Sequence, residues 1–221
     1  MTIKFGYVKL EHPLVAFIYE AFGKQFGDLL LVGYGREPTE QEASFEFTET
    51  GGEGTDSWTV EVRARPLPGG KEPLVLAALL KFLLLRIDLD DESHVSPSLE
   101  FNMQALLEEV GRDGTLMSAA EVEEIIDRYV KISYVRNAQP QEDEVNPRER
   151  TKGQYRLVVG YTTLTYKDEG DERRRRLVDR VDLILELVEG LKGGEITFAG
   201  MKLGERQPGK PFPNSPFMPI L

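Results

Sequence analysis

A run of arginines is the densest chemical feature of this sequence. Residues 173–176 are four consecutive arginines, and two further arginines and a lysine lie upstream at residues 148–152. Guanidinium groups suit phosphate oxygens because they donate hydrogen bonds from a planar fork. The pattern predicts contact with double-stranded DNA. With two cations from a predicted helix, the candidate DNA-binding residues are Arg148, Arg150, Lys152, Arg173, Arg174, Arg175, Arg176, Arg128 and Lys131.

An alternative role for the arginine run is local charge balance. Asp168, Glu169, Asp171 and Glu172 immediately precede it, in a predicted turn. If the run lies in a strand, alternate residues point to opposite faces, so two arginines would lie on each face. The four arginines could then neutralise the acids of the turn instead of contacting a ligand.

Carboxylates and histidines offer little chemistry by comparison. Asp88, Asp90, Asp91 and Glu92 are oxygen donors of the kind that Ca²⁺ and Mg²⁺ prefer, but their spacing is not that of an EF-hand loop. A solvated acidic loop is the simpler interpretation, and an enzyme that uses these carboxylates is the alternative. His12 and His94 stand alone in predicted loops. We therefore expect no enzyme activity, no catalytic residue, no metal and no cofactor.

Composition limits the classes of protein further. The chain has 221 residues, a formal net charge of −11 and no cysteine. The acidic balance opposes tight non-specific DNA binding, although a local basic patch can suffice. Without cysteine there is no disulfide framework or thiolate metal site. Neither a signal peptide nor an apolar span of roughly 20 residues is present, so we expect a cytoplasmic protein that does not enter membranes.

Three helices are predicted in the middle of the chain. Pro73 opens the first, and residues 74–85 are apolar on almost every side. Such a helix must be buried on several sides. It is either the central core helix or, in part, the contact surface of a homo-oligomer or protein partner.

The second and third helices are amphipathic. Residues 102–110 place apolar side chains on one face, with Gly111 as the stop. The third helix, residues 119–134, begins with a capping box formed by Ser118 and Glu121. Its polar face is largely acidic, which opposes its use as a DNA recognition helix.

Strand patterns flank the helices. A helix is predicted over residues 14–22, ending near Gly23 or Gly27, and residues 33–36 are predicted as a plain turn. For residues 181–191, a helix from 185 and a strand over 181–188 fit equally well. A proline-rich tail starts at residue 207. Strands are predicted at residues 2–10, 29–34, 44–48, 57–65, 154–166, 173–183 and 195–198, with a loop over residues 138–150.

Together these elements predict an α+β fold with a winged helix-turn-helix core and an additional N-terminal antiparallel sheet. The predicted division is residues 1–70 for the N-terminal helix and sheet, 71–200 for the winged-helix domain with its long β-hairpin, and 201–221 for the tail.

The order of motifs resembles the winged-helix replication initiators of plasmids. The resemblance lies in the apolar spacing of residues 99–111, the helix over 118–130 and the hairpin over 154–183, and it covers roughly residues 57–195. Such initiators typically carry two winged-helix domains, one for dimerisation and one for DNA, and this chain is more similar to the first. The resemblance implies a DNA-binding or assembly role in replication. A winged-helix module that binds protein and no nucleic acid is the alternative.

Overall fold

The helix α2, Pro73–Leu89, is enclosed by the rest of the chain. The computed structural model describes residues 12–37, 43–51, 54–89, 96–114, 116–138, 152–167 and 174–206. Nine of the twelve residues at positions 74–85 are buried, and only Lys81, Phe82 and Leu85 are partly exposed. The predicted core helix is therefore confirmed. The partner contact predicted for residues 74–85 stays a prediction: four other helices pack against this one, and the side chains of Phe82 and Leu85 remain partly exposed.

The next two helices begin at the predicted caps. The helix α3 spans Met103–Val110, and the side chain of Asn102 accepts hydrogen bonds from two backbone N–H groups of its first turn. The helix α4 spans Ala119–Lys131 and has the capping box predicted for Ser118 and Glu121. It ends three residues earlier than predicted, because the strand β4, Ser133–Ala138, begins there.

The N-terminal helix α1, Pro13–Leu30, is longer than predicted and kinked at Gly23, where φ is 73°. After the kink the chain turns helical again and buries Phe26, Leu29 and Leu30. The strand predicted for residues 29–34 is therefore wrong: the apolar run completes a helical face, and a turn follows it.

A four-stranded antiparallel sheet joins distant parts of the chain in the order β1-β2-β4-β5. The strands β1, Ala43–Gly51, and β2, Gly54–Arg63, form the predicted N-terminal hairpin. The sheet is completed by β4 and by β5, Lys152–Tyr155, which the sequence did not reveal as its members. Strand pairing and one continuous hydrophobic core both cross the predicted boundary at residue 70.

A second, three-stranded sheet has the order β3-β7-β6. It consists of β3, Ser98–Glu100, β6, Val158–Lys167, and β7, Arg174–Leu183. The predicted long hairpin is confirmed as the pair β6–β7. The single strand predicted over residues 154–166 is in fact split, since its first part belongs to β5 in the other sheet.

The remaining described elements settle the alternatives for residues 181–191. The strand β7 ends at Leu183, and the helix α5 spans Leu185–Lys192. The predicted strand at residues 195–198 is β8, Glu195–Phe198, which pairs with β9, Met201–Glu205. The predicted α+β class is confirmed. The strand predicted at residues 2–10, most of the loop at 138–150 and the tail from 207 lie outside the described residues.

The turn at residues 33–36 supplies a stability prediction with an internal control. Gly33 (φ 81°) and Gly35 (φ 69°) both have left-handed backbone, but a Cβ on Gly33 would lie 1.8 Å from the carbonyl oxygen of Pro68, whereas one on Gly35 would meet nothing within 4 Å. Gly35→Ala should therefore lower the free energy of unfolding by about 1 kcal/mol, from backbone strain alone. Gly33→Ala should lower it by about 2–3 kcal/mol, because the loop that contains Pro68 must also move.

Urea unfolding of the two alanine variants measures this difference. Equal losses of unfolding free energy at positions 33 and 35 would contradict the close approach of the Gly33 and Pro68 loops.

Candidate nucleic-acid interface

The predicted arginine run lies at the far end of a two-stranded ribbon. The strand β3 pairs with β7 only opposite residues 180–182. From Val178 back to Arg174, toward the turn, β7 pairs with β6 and, among the described residues, with no third strand. In this ribbon Arg174 pairs with Lys167, Arg175 with Tyr166 and Arg176 with Thr165. Arg173 lies outside the described residues.

Register fixes which cationic positions share a face. Directly opposed residues of an antiparallel pair lie on the same face, and alternate residues lie on opposite faces. Positions 174 and 176 therefore share one face with position 167, whereas position 175 lies on the other. Three cationic positions therefore lie on one face: 167, 174 and 176. The sequence analysis did not include Lys167 among the candidates.

The base of the ribbon is held by polar contacts to the sheet. The hydroxyl of Thr162 donates to Asp179 at 3.1 Å. The hydroxyl of Ser98, on β3, donates to Asp182 at 2.5 Å. Nε of Arg180 lies 4.0 Å from the same carboxylate. These contacts join all three strands at the point from which the ribbon extends.

The upstream cations are not in this sheet. Lys152 begins β5 and pairs with Asn137 in the four-stranded sheet. Arg148 and Arg150 lie outside the described residues. The chain passes from one sheet to the other at residues 156–157, so Lys152 and the described part of the arginine run belong to different sheets. Whether the two basic groups meet stays a prediction.

The cations of α4 are already engaged. Arg128 is half-buried and its guanidinium donates to the carboxylate of Glu72, at the start of α2. Lys131 is exposed and forms an ion pair with Asp127 on the same helix. Arg128 is therefore held in a structural ion pair, whereas Lys131 stays exposed and its contact with DNA is still a prediction.

Two residues of α4 have shifted pKa values, one on its buried face and one at its N-terminal cap. Burial raises the pKa of Tyr129, reinforced by Tyr134 and by Glu72. The pKa of Glu121 is lowered, because the backbone and hydroxyl of Ser118 donate hydrogen bonds to its carboxylate. The Glu121 carboxylate therefore favours its charged form, which would repel a DNA phosphate.

The histidine and carboxylate candidates have structural contacts. His12 is 1% exposed; its Nδ1 accepts a hydrogen bond from Leu14 N, so Nε2 carries the proton and donates to Val110 O at 3.0 Å. Asp88 forms an ion pair with Arg206. His94 and residues 90–92 lie outside the described part. Within the described part, no group of three or more metal-ligating side chains could hold an ion.

Comparison with known proteins gives only a distant structural likeness. No protein-family model matches the chain, and a search of curated proteins finds no significant match. The crystal structure of selenomethionine derivatives of domains 2 and 3 of RctB has a TM-score of 0.45 and 12% identity, over 72% of this chain and 57% of that one. Another structure of RctB domains 2 and 3 gives the same TM-score and identity, over 71% and 55%. This chain thus spans just over half the length of each, and a likeness at this level assigns no activity.

A membrane role was not expected from the sequence. In the described part of the chain, none of the helices combines the length and hydropathy needed to cross a bilayer.

Proposed function

We propose that this chain is a winged-helix protein of the replication-initiator type, which contacts double-stranded DNA through the basic end of the β6–β7 ribbon. The observation that carries the proposal is the register that places Lys167, Arg174 and Arg176 on one face of a ribbon extending beyond its sheet. Phosphates are the natural ligand of such a group, since guanidinium groups bind their oxygens in a fork.

The order of elements supports the winged-helix assignment. The helix α2, the short strand β3 and the helices α3 and α4 are followed by the β6–β7 hairpin, with β4 and β5 of the other sheet in between, and β3 pairs with the hairpin. In a winged helix the hairpin is the wing, and it can contact the DNA backbone beside the recognition helix. Here α4 is acidic and its arginine is paired, so the wing carries the DNA contact alone.

A second candidate function is protein binding without nucleic acid. It is favoured by the ion pairs of Arg128 and Lys131 together with the net charge of −11. In that case the ribbon arginines balance the acids of the neighbouring turn, their loss should lower stability, and the unaltered chain should show no duplex binding even at low salt.

Replacing Lys167, Arg174 and Arg176 with glutamine separates the two candidates. Affinity for a random-sequence duplex is measured by fluorescence anisotropy over a range of salt concentrations. If all three cations contact phosphates, the slope of log K against log salt should become shallower by about 2.7, at about 0.9 for each phosphate.

The control removes the same three charges elsewhere, by glutamine at Lys24, Lys71 and Lys202. All three lysines are exposed. This variant has the same net charge, so its salt slope should match that of the unaltered protein. If the unaltered protein does not bind duplex DNA at low salt, or if both triple variants lose affinity equally, contact through the ribbon is refuted.

A further inference from the structure

The cationic face of the ribbon and the helix α4 lie on the same side of the hairpin. Val178 lies two residues from Arg176 on β7, with no irregularity between them, so the two positions share a face. Val178 is 1% exposed and packs in the core. The helix α4 packs against β6 and β7, and its buried residues belong to the same core. A duplex held by positions 167, 174 and 176 would therefore lie on the side of the sheet that α4 covers.

The outward surface of α4 is acidic at its N-terminal end. Glu121 and Glu124 lie in the first half of the helix, and both are exposed. Among the described residues, neither of these glutamates forms an ion pair. The cations Arg128 and Lys131 lie in the second half of the helix, and each is paired with another carboxylate. The negative charge of the first half is therefore not balanced within α4.

The capping box holds one of these charges in place. The carboxylate of Glu121 accepts hydrogen bonds from the backbone N–H and the hydroxyl of Ser118, at 2.7 and 2.8 Å. Hydrogen bonds that are donated to a carboxylate favour its charged form. The same contacts that start the helix therefore place a fixed negative charge at its N-terminus.

The position of this charge matters in a helix-turn-helix. A recognition helix contacts base edges in the major groove with its N-terminal residues. In this chain those residues include Glu121 and Glu124. A duplex that approached α4 in the usual way would bring its phosphates toward two carboxylates.

We propose that Glu121 and Glu124 keep duplex DNA out of contact with α4 and so confine binding to the ribbon. This inference rests on the proposed function, and it assigns the acidic end of α4 an active part in the same interface. The two carboxylates act as a barrier that lowers affinity for any duplex lying against the helix. They determine how the duplex is oriented on the protein and make no attractive contact with it.

The barrier acts over a short range, which supplies a matched control. The Debye length is about 30 Å at 0.01 M salt and about 8 Å at 0.15 M, so a distant carboxylate has little effect on the duplex. Glu100 is exposed on β3, on the face opposite to the buried Leu99. Glu46 is exposed on β1, in the other sheet. These two glutamates carry the same charge away from the proposed interface.

Fluorescence anisotropy with a random-sequence duplex measures the effect of the double variant Glu121→Gln with Glu124→Gln. Glutamine at position 121 is compatible with a capping box, so the helix should keep its start. Affinity should rise about threefold at 0.01 M salt and about 1.5-fold at 0.15 M, if each carboxylate lies roughly 10 Å from one phosphate. The control, Glu46→Gln with Glu100→Gln, should change affinity by less than about 1.3-fold. Circular dichroism shows whether both variants retain the fold.

Combining the two sets of substitutions tests whether the barrier acts on DNA that the ribbon holds. The double variant of α4 is made again in a chain in which Lys167, Arg174 and Arg176 are glutamine. The threefold gain should then fall below about 1.3-fold, because the duplex is no longer held beside α4. A gain that stays threefold in this chain would overturn the inference.

The outcomes separate this inference from the proposed function. A gain that is confined to the α4 variant and declines with salt supports the barrier. If the unaltered chain binds the duplex but the α4 variant binds no more tightly, or if the control pair gains as much, only the barrier is refuted. If neither the unaltered chain nor the α4 variant binds the duplex at 0.01 M salt, both proposals fail.

Discussion

Replacing Glu109 with alanine is expected to lower the free energy of unfolding by roughly 3–5 kcal/mol, because it leaves a buried positive charge without a partner. Glu109 is 4% exposed. Its carboxylate lies 2.7 Å from Nζ of Lys81 on α2 and 2.8 Å from Nη2 of Arg112, just after α3. Lys81 has little access to water, so removal of the carboxylate cannot be offset by hydration.

Urea unfolding of Glu109→Ala, beside Glu108→Ala, measures the effect. Glu108 is the neighbouring residue on α3, is exposed, and has the same helix propensity, so its replacement should change stability by less than about 0.5 kcal/mol. A double variant, Glu109→Leu with Lys81→Met, should recover part of the loss, since it removes both charges together. A loss below about 1 kcal/mol for Glu109→Ala would contradict a buried ion pair.

The Glu109 contacts also show where sequence interpretation stops. Glu108 and Glu109 are adjacent carboxylates on a short amphipathic helix, and the sequence gives no reason to treat them differently. In the structure one is solvated and the other is buried against α2. The difference depends on how α3 packs against α2, where Lys81 lies 28 residues before Glu109, and residue spacing within α3 does not encode that packing.

Local signals identified the helices well. The asparagine cap of α3 and the capping box of α4 both form as predicted, since each involves residues within three positions of one another. The strand β4 was missed for the opposite reason. The apolar spacing of α4 continues into Ile132 and Tyr134, and the pairing partner of β4 is β2, far upstream in the chain.

The candidate site was predictable in the same uneven way. The β6–β7 hairpin, and with it the position of the arginine run, followed from alternation on either side of a turn. The placement of Lys152 in a different sheet from that run could not be predicted. The chain changes sheets at Arg156 and Leu157, within a stretch whose pattern resembles one strand. Sequence alternation thus located each basic group but not the sheet to which Lys152 belongs.

Truncating Leu80 to alanine should lower the free energy of unfolding by roughly 2–5 kcal/mol, from lost burial and from the cavity left behind. Leu80 is fully buried at the centre of α2, a helix that packs against four other helices. Leu85→Ala is the matched control, because the same substitution on the same helix removes a side chain that is already partly exposed. Leu85→Ala should lower the free energy of unfolding by about 1 kcal/mol.

Urea unfolding of both variants at one protein concentration provides the comparison, since the stability of a dimer depends on the concentration of its protomers. A large loss at Leu80 with a small loss at Leu85 is expected if α2 is enclosed within one chain. Equal losses would mean that a second surface also covers the partly exposed side of α2. In that case α2 would form part of an association surface, as the sequence predicted for residues 74–85.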